Sequence, residues 1–249
     1  MTREGRIRLL VVAVLVAALE ALCRFGFIAQ TVVIAPTEMM RSLWQILVSG
    51  QHNDDIISTF RNVLLSSALA ISLGFAAGLA IHALPRLRTA IEPVLASYYA
   101  VPTFMFYPLF VVAFGVNAGA IIAIAVLLSI VAMITSTLTG LDRIPVVLRK
   151  TARVYRMSPP SRAIFIDLPA AAPHLFSGAK LAFAYALIGV IASEFILSGQ
   201  GVGYAIAYAY NNFDNRAMYG LMLLVIIAAV TANAALDAID RRLQTRLRP

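Results

Sequence analysis

The residues that most often carry chemistry are few in this sequence and widely separated. The three histidines, His52, His82 and His174, fall in different segments, and Cys23 is the only cysteine. Metal sites and nucleophilic centres need several such groups at close spacing. We therefore predict that the chain is not an enzyme and has no catalytic residue, metal site, bound cofactor or disulfide bond.

A glycine-rich segment, Gly199-Gln-Gly-Val-Gly203, superficially resembles a phosphate-binding loop. It lacks the Lys-Ser/Thr ending of such loops, and no predicted strand precedes it. The sequence therefore predicts no nucleotide-binding domain, and any ATP that drives this protein must be bound by another chain.

The composition is that of a membrane protein. Apolar residues make up 61% of the 249 positions, and charged residues make up 13%. Soluble domains contain roughly 45–50% apolar residues, and the excess here lies in separate runs of about 20 residues, the length that a helix needs to cross a bilayer. We predict an all-α, polytopic membrane protein. The net charge of +8 comes from basic residues between the apolar runs, which argues against a nucleic-acid partner.

The apolar runs predict six transmembrane helices. The predicted spans lie near Leu9–Ile28, Val63–Leu84, Val94–Phe114, Ala118–Leu138, Leu175–Leu197 and Ala217–Leu236. We expect the first to be retained and not cleaved as a signal peptide, because five more spans follow. Of the 20 Lys and Arg residues, only Arg24, Arg41, Arg61 and Arg216 fall on one side of the membrane. The side with the other sixteen, which carries both termini, is predicted to be cytoplasmic.

The spans divide the chain into three parts. Residues 1–56 are expected to contain the first transmembrane helix and an external amphipathic helix that begins at Pro36, with Trp44 as an interfacial anchor. Residues 57–241 form the transmembrane core, and residues 242–249 form a basic cytoplasmic tail.

The longest and most basic cytoplasmic connection covers residues 142–173. Pro145 suits the first turn of a short helix, and Ser158 can cap a second helix that has Pro159 in its first turn. The second helix is expected to end near Leu168-Pro169. Two short helices joined by a tight turn predict a compact projection into the cytoplasm.

Several residues within the predicted spans are candidates for function, because polar groups at membrane depth are costly. Glu20 and Arg24 are four residues apart and are predicted to form a structural pair. Glu194 either accepts hydrogen bonds from the following glycine-rich backbone or lines a solute path. Aromatic residues and proline are concentrated in the third span. They either line a solute path or pack against neighbouring helices. The candidate path residues are Tyr98, Tyr99, Pro102, Thr103, Phe104 and Glu194.

The loop resembles that of permeases of bacterial binding-protein-dependent ABC importers. Their EAA loop reads Glu-Ala-Ala, three residues, Gly, nine residues and Ile-x-Leu-Pro. This sequence has Lys150-Thr-Ala, then Arg156, then Ile166-Asp-Leu-Pro169 at the same spacing. Lys150 replaces the acidic residue and Arg156 replaces the glycine, which indicates either a divergent ATPase partner or weakened coupling.

Three further segments extend the resemblance to the nitrate, sulfonate and taurine branch of these permeases. They are Ile34-Ala-Pro-Thr, Ala100-Val-Pro-Thr and Ala192-Ser-Glu-Phe-Ile-Leu-Ser-Gly-Gln-Gly-Val-Gly-Tyr204. The resemblance implies a type I ABC importer-like permease fold and a location in the bacterial inner membrane.

The resemblance also implies partners and a coupling site. The expected partners are cytoplasmic ATPase subunits, an external solute-binding protein, a second permease copy and membrane lipid. The residues implied in ATPase coupling are Arg153, Arg156, Met157, Ser158, Pro159, Arg162, Ile166, Leu168 and Pro169. The alternative interpretation of this segment is a basic loop that only contacts anionic lipid and fixes the topology, and the preserved Ile166-Asp-Leu-Pro169 ending favours coupling. The alternative function is a secondary transporter driven by an ion gradient, which usually carries midplane carboxylates in two matching halves. The solute, and whether the dimer contains identical subunits, are left open.

Overall fold

The computed structural model describes residues 3–29 and 31–247. Its eleven α-helices, within these described residues, are α1 (Arg3–Arg24), α2 (Pro36–Ser49), α3 (Asn53–Ala83), α4 (Pro85–Ser97), α5 (Tyr107–Phe114), α6 (Ala118–Asp142), α7 (Val146–Val154), α8 (Pro159–Arg162), α9 (Leu168–Leu197), α10 (Val202–Asn211) and α11 (Asn215–Leu247). The all-α prediction is confirmed. The last two residues of the predicted basic tail, and the side chains from 241 onward, lie outside the described part.

Small side chains allow the central helices to pack closely. The most extensive helix interface joins α6 to α9, and α3 packs against both. A Cβ atom added to Gly189 of α9 would lie only 2.7 Å from the Ala125 Cα atom of α6. Ala182 and Ala186 of α9 are also fully buried. Small residues at such interfaces let helix backbones approach each other, which supplies the packing energy that holds helices together in lipid.

Four helices in the described residues are long and apolar enough to cross a membrane. They are α3, α6, the continuous helical stretch 159–197, and α11 over residues 215–240. These helices coincide with four of the six predicted spans. α1 is not among them, and charged residues near both of its ends, such as Arg6 and Glu20, shorten its apolar stretch. The count of six therefore stays a prediction.

The predicted third span, Val94–Phe114, is not one straight helix. Short 3₁₀ turns follow α4 and precede α5, and the two halves meet at an angle of 96°. The break falls at Val101 and Pro102, whose backbones are extended. Proline lacks an N–H donor and disfavours helical backbone in the residue before it, so a continuous helix cannot form here. The two halves give a fifth span only if they are counted together.

Two helices, α2 and α10, lie outside the predicted spans. α2 begins at Pro36 as predicted and packs on α11, where the Ser42 hydroxyl donates to the Arg216 carbonyl oxygen at 2.6 Å. Its location on the outer surface stays a prediction. Trp44 is 68% exposed, as an interfacial anchor requires. α10 was not predicted from the sequence, although it contributes Val202 and Ile206 to a buried cluster with α11.

Candidate functional site

The predicted cytoplasmic loop is anchored at its base to the transmembrane helices. Leu141 and Ile144 at the end of α6 form a buried cluster with Ala171 of α9. The Arg149 side chain, on α7, donates to the Leu141 carbonyl oxygen at 2.8 Å. This carbonyl is one of the last in α6 and has no partner within its own helix, so the arginine satisfies it. α7 is thereby fixed to the core, while the turn that follows it projects away.

Arg156 lies in a left-handed turn after α7. Its φ angle is +47°. The Met157 N–H donates to the Ala152 carbonyl oxygen at 3.0 Å, which closes the helix end as in a Schellman motif. Glycine is the usual residue at this position because a Cβ atom crowds the following carbonyl. The glycine of the EAA motif thus corresponds to a backbone requirement, and Arg156 meets that requirement with some strain.

Replacing Arg156 with glycine is expected to stabilise the end of α7 by about 0.5–1 kcal/mol, because glycine adopts the left-handed conformation without steric cost. Hydrogen exchange of the backbone amides of residues 150–157 should slow by roughly threefold or more. Arg153→Gly in the helix itself is the matched control and should accelerate exchange, because glycine destabilises a helix interior by about 1 kcal/mol. Faster exchange in Arg156→Gly would contradict this account of the turn.

The second loop helix differs from its prediction. Ser158 and Pro159 begin it as expected, but the Ser158 side chain makes no capping hydrogen bond. The prediction that this helix ends near Leu168-Pro169 is wrong. The helix continues through a π-helical turn at residues 163–167 directly into α9, with the Leu168 N–H bonded to the Ala163 carbonyl oxygen. A widened turn accommodates the ring and the missing N–H of Pro169, so the proline starts α9 instead of ending a helix.

The residues predicted to couple to an ATPase lie along one projecting segment. Arg153, Arg156, Ser158, Pro159 and Pro169 are exposed, and Met157, Arg162, Ile166 and Leu168 are half-buried. Arg162 is already engaged, because its Nε atom lies 3.1 Å from an Asp167 carboxylate oxygen. Arg156, which lies in the turn itself, is therefore more available to a partner protein than Arg162.

Sequence reasoning missed the apolar residues of the same projection. Val154, Tyr155 and Phe165 are 80%, 76% and 70% exposed. Aromatic residues exposed on a polar loop are a common mark of a protein interface. The signal was present in the sequence, since two aromatic residues in an otherwise basic loop have no core to fill.

The candidate path residues form two separate groups. Tyr98 and Tyr99 lie at the break in the third span, and the Tyr99 ring stacks on Tyr185 of α9 with centroids 5.3 Å apart. The Tyr98 hydroxyl donates to the Leu127 carbonyl oxygen of α6. Pro102 forms the break and is exposed, Thr103 is buried and Phe104 is half-buried. Glu194 is about 13 Å further along α9 than Tyr185, from the helical rise of 1.5 Å per residue.

Glu194 is fully buried and accepts three hydrogen bonds. The Thr59 hydroxyl of α3 donates to its Oε2 atom at 2.7 Å, and the Asn62 side-chain amide donates to Oε1 at 3.4 Å. The Gly203 N–H donates to Oε2 at 3.2 Å. The predicted bond from the glycine-rich backbone is therefore present.

The same network caps the start of α10. The Gly201 N–H donates to Asp55 at 2.8 Å, and the Val202 N–H donates to the Thr59 hydroxyl oxygen at 2.8 Å. With the bond from Gly203 to Glu194, three of the N–H groups that a helix start leaves without partners are satisfied by side chains. The two carboxyl groups also lie where the helix dipole favours negative charge. The arrangement fixes α10 to both α3 and α9, and we refer to these six residues as the α10 cap.

The long apolar helices are those of a membrane-embedded protein, and the third predicted span is broken at its middle. The chain belongs to the family of binding-protein-dependent transport system inner membrane components, whose model matches residues 70–249. It is thus a permease subunit of an ABC importer in the inner membrane, and the comparisons give no support to the secondary-transporter alternative.

Individual relatives agree with this family. The chain is 24% identical to the nitrate import permease protein NrtB of Leptolyngbya laminosa, over 83% of this chain and 77% of the relative. It is 25% identical to the putative aliphatic sulfonates transport permease protein SsuC of Bacillus subtilis, over 96% of this chain and 85% of the relative. The structure superposes on a chain of the inward-facing MetNI methionine ABC transporter with a TM-score of 0.69 and 18% identity, covering 79% of this chain and 97% of that chain. This last likeness is one of fold.

Proposed function

We propose that the turn between α7 and α8 transmits force from a cytoplasmic ATPase subunit to the transmembrane helices. The observation that carries this proposal is the exposure of Tyr155 and Arg156 in the turn, and of Phe165 in the nearby π-helical turn, on a loop whose base is packed into the core. The stretch 159–197 supports it, because a continuous helix turns a push at Pro159 into a movement of the whole of α9.

Two permease copies, two ATPase subunits and an external solute-binding protein form the working complex in this proposal, with both termini of the permease in the cytoplasm. ATP binding shifts the equilibrium between a state open to one side of the membrane and a state open to the other. The free energy of this shift equals the difference between the binding free energies of ATP for the two states. Tyr98, Tyr99 and Tyr185 line the path at the broken span. The names of relatives include nitrate, aliphatic sulfonates and bicarbonate, so we expect a small oxyanion as the solute.

The coupling surface is tested by Tyr155→Ala and Arg156→Glu in the complex with its ATPase. A buried aromatic anchor contributes about 2 kcal/mol or more to an interface, whereas an exposed charge pair contributes about 0.2–1 kcal/mol. Tyr155→Ala should therefore weaken ATPase binding by roughly 30-fold, and Arg156→Glu by several-fold. Co-purification with the ATPase and solute-stimulated ATP hydrolysis in proteoliposomes measure the two effects.

Arg86→Glu and Tyr208→Ala are the matched controls, since both residues are exposed and lie outside the loop. They should leave co-purification unchanged. A normal complex with Tyr155→Ala would refute the coupling surface, and solute uptake that continues without any ATPase subunit would favour a secondary transporter.

A further inference from the structure

The arginines on the predicted outer side of the membrane are not scattered. Three of the four, Arg24, Arg41 and Arg216, line two clefts of about 560 Å³ and 180 Å³ around α2, and both clefts contain Glu38 and Arg41. The positive-inside rule depletes this side of basic residues. The few that remain are therefore concentrated at a single place on the surface.

The charges at this place are not balanced by the protein. Arg24 is paired with Glu20, with Nε and Oε1 2.6 Å apart. Arg41 and Arg216 form no ion pair with any residue that the structure describes, although Glu38 lines both clefts. The three arginines outnumber the two carboxylates, which leaves a positive surface. A guanidinium group suits the oxygens of a phosphate, to which it can donate two parallel hydrogen bonds.

An apolar surface borders the arginines. α2 packs on α11 through Ser42 and Leu43, but its opposite side is exposed. Its exposed apolar side chains are Met40, Trp44, Leu47 and Val48, which are 54%, 68%, 45% and 68% exposed. Arg41 is three residues before Trp44 and seven before Val48, so it lies along the edge of this surface. A helix with basic residues beside exposed tryptophan and aliphatic residues is typical of the boundary between headgroups and acyl chains.

We propose that Arg41 and Arg216, with Arg24 beside them, bind the phosphate headgroup of an anionic phospholipid whose acyl chains lie along the apolar side of α2. Charge complementarity selects the anionic headgroup, and the adjoining apolar side chains select a lipid over a free anion. Exposed tryptophan and aliphatic residues beside basic ones favour a lipid, whose headgroup and acyl chains contact both surfaces at once. Only the assignment to the outer leaflet rests on the proposed orientation of the termini.

The test is retention of phosphatidylglycerol by the purified permease complex in native mass spectrometry. The Arg41→Gln/Arg216→Gln double variant should lower retention by roughly tenfold or more at low salt, because each basic contact at a membrane surface contributes about a factor of five. Arg61→Gln, the fourth outer arginine, lines a different cleft and should retain lipid normally. Arg41→Lys/Arg216→Lys should recover most of the binding, which separates loss of charge from misfolding.

Three kinds of result would overturn the proposal. The first is a pattern of lipid loss that does not follow the arginines of the site, either normal retention in the Gln double variant or an equal loss in Arg61→Gln. The second is displacement of the lipid by glycerol phosphate at equal concentration, which would indicate a site for free anions. The third is normal lipid retention combined with weaker association of the solute-binding protein, which would assign the arginines to protein docking. Lipid retention is measured without transport, so failure of the coupling mechanism would not alter this result.

Discussion

Replacing Glu194 with alanine is expected to destabilise the protein by roughly 3–5 kcal/mol. The substitution leaves Thr59, Asn62 and the Gly203 N–H buried without an acceptor, and each unsatisfied group costs about 1–3 kcal/mol. It also leaves a cavity at a completely buried position. The apparent Tm of the purified protein in detergent should fall by about 10 °C.

Glu194→Gln provides the sharper comparison. The Asn62 Oδ1 atom is buried and has no partner among the described residues. If the Asn62 side-chain amide flips by 180°, its Oδ1 atom can accept a hydrogen bond from the new Gln N–H group. The Gln oxygen then still accepts from the Thr59 hydroxyl and the Gly203 N–H. We therefore expect Glu194→Gln to retain most of the stability that alanine loses.

Glu92→Ala is the surface control, because the Glu92 side chain is 69% exposed and lies 4.0 Å from Arg88. It should change stability by less than about 0.5 kcal/mol. Equal losses in the Gln and Ala variants of Glu194 would contradict the proposed role of the hydrogen bonds. A stable Glu194→Gln protein that fails in transport would instead place this residue on the solute path.

Replacing Gly203 with alanine is expected to have a comparably large effect, of about 3 kcal/mol, together with loss of transport. A Cβ atom at this position would collide with the Ile191 carbonyl oxygen, and would lie 2.7 Å from the Glu194 Cβ atom and 2.9 Å from the Phe195 backbone nitrogen. Two of these three atoms belong to the backbone of α9 and cannot rotate away. α10 must then move from α9, and such overpacking costs about 1–3 kcal/mol before the bond to Glu194 is counted.

Gly199→Ala is the matched control for Gly203→Ala, because no atom would lie within 4 Å of the new Cβ atom at residue 199. Its stability should stay within about 0.5 kcal/mol of the original protein. Combining Gly203→Ala with Glu194→Ala should cost less than the two separate losses added together, since both remove the same bond. Full additivity in thermal unfolding would count against a shared cap.

The sequence was sufficient for the properties that depend on local composition. Apolar runs as long as a bilayer is thick predicted α3, α6, α9 and α11, because a spanning backbone must form its hydrogen bonds within its own segment. Pro36 predicted the start of α2, because its fixed φ angle suits the first helical turn, and Gly50 ends the helix in a left-handed conformation. The spacing between Lys150 and Pro169, together with the three further segments, indicated the family without the geometry of the loop.

The tertiary structure decided the features that depend on residues far apart in the chain. Glu194 and Thr59 are separated by 135 residues, and the bond between Asp55 and Gly201 spans 146 residues. No local pattern marks these partners, so α10 and the contacts of its cap with Asp55 and Thr59 were missed, although the bond from the glycine-rich backbone to Glu194 was expected. Three of the arginines predicted to face outward line adjoining clefts only because α2 packs on α11. Arg162 and Asp167 are only five residues apart, but their pairing depends on the π-helical turn, which the sequence did not predict. Sequence determines which helices form because their hydrogen bonds are local, whereas the surroundings of each polar side chain are set by how those helices pack.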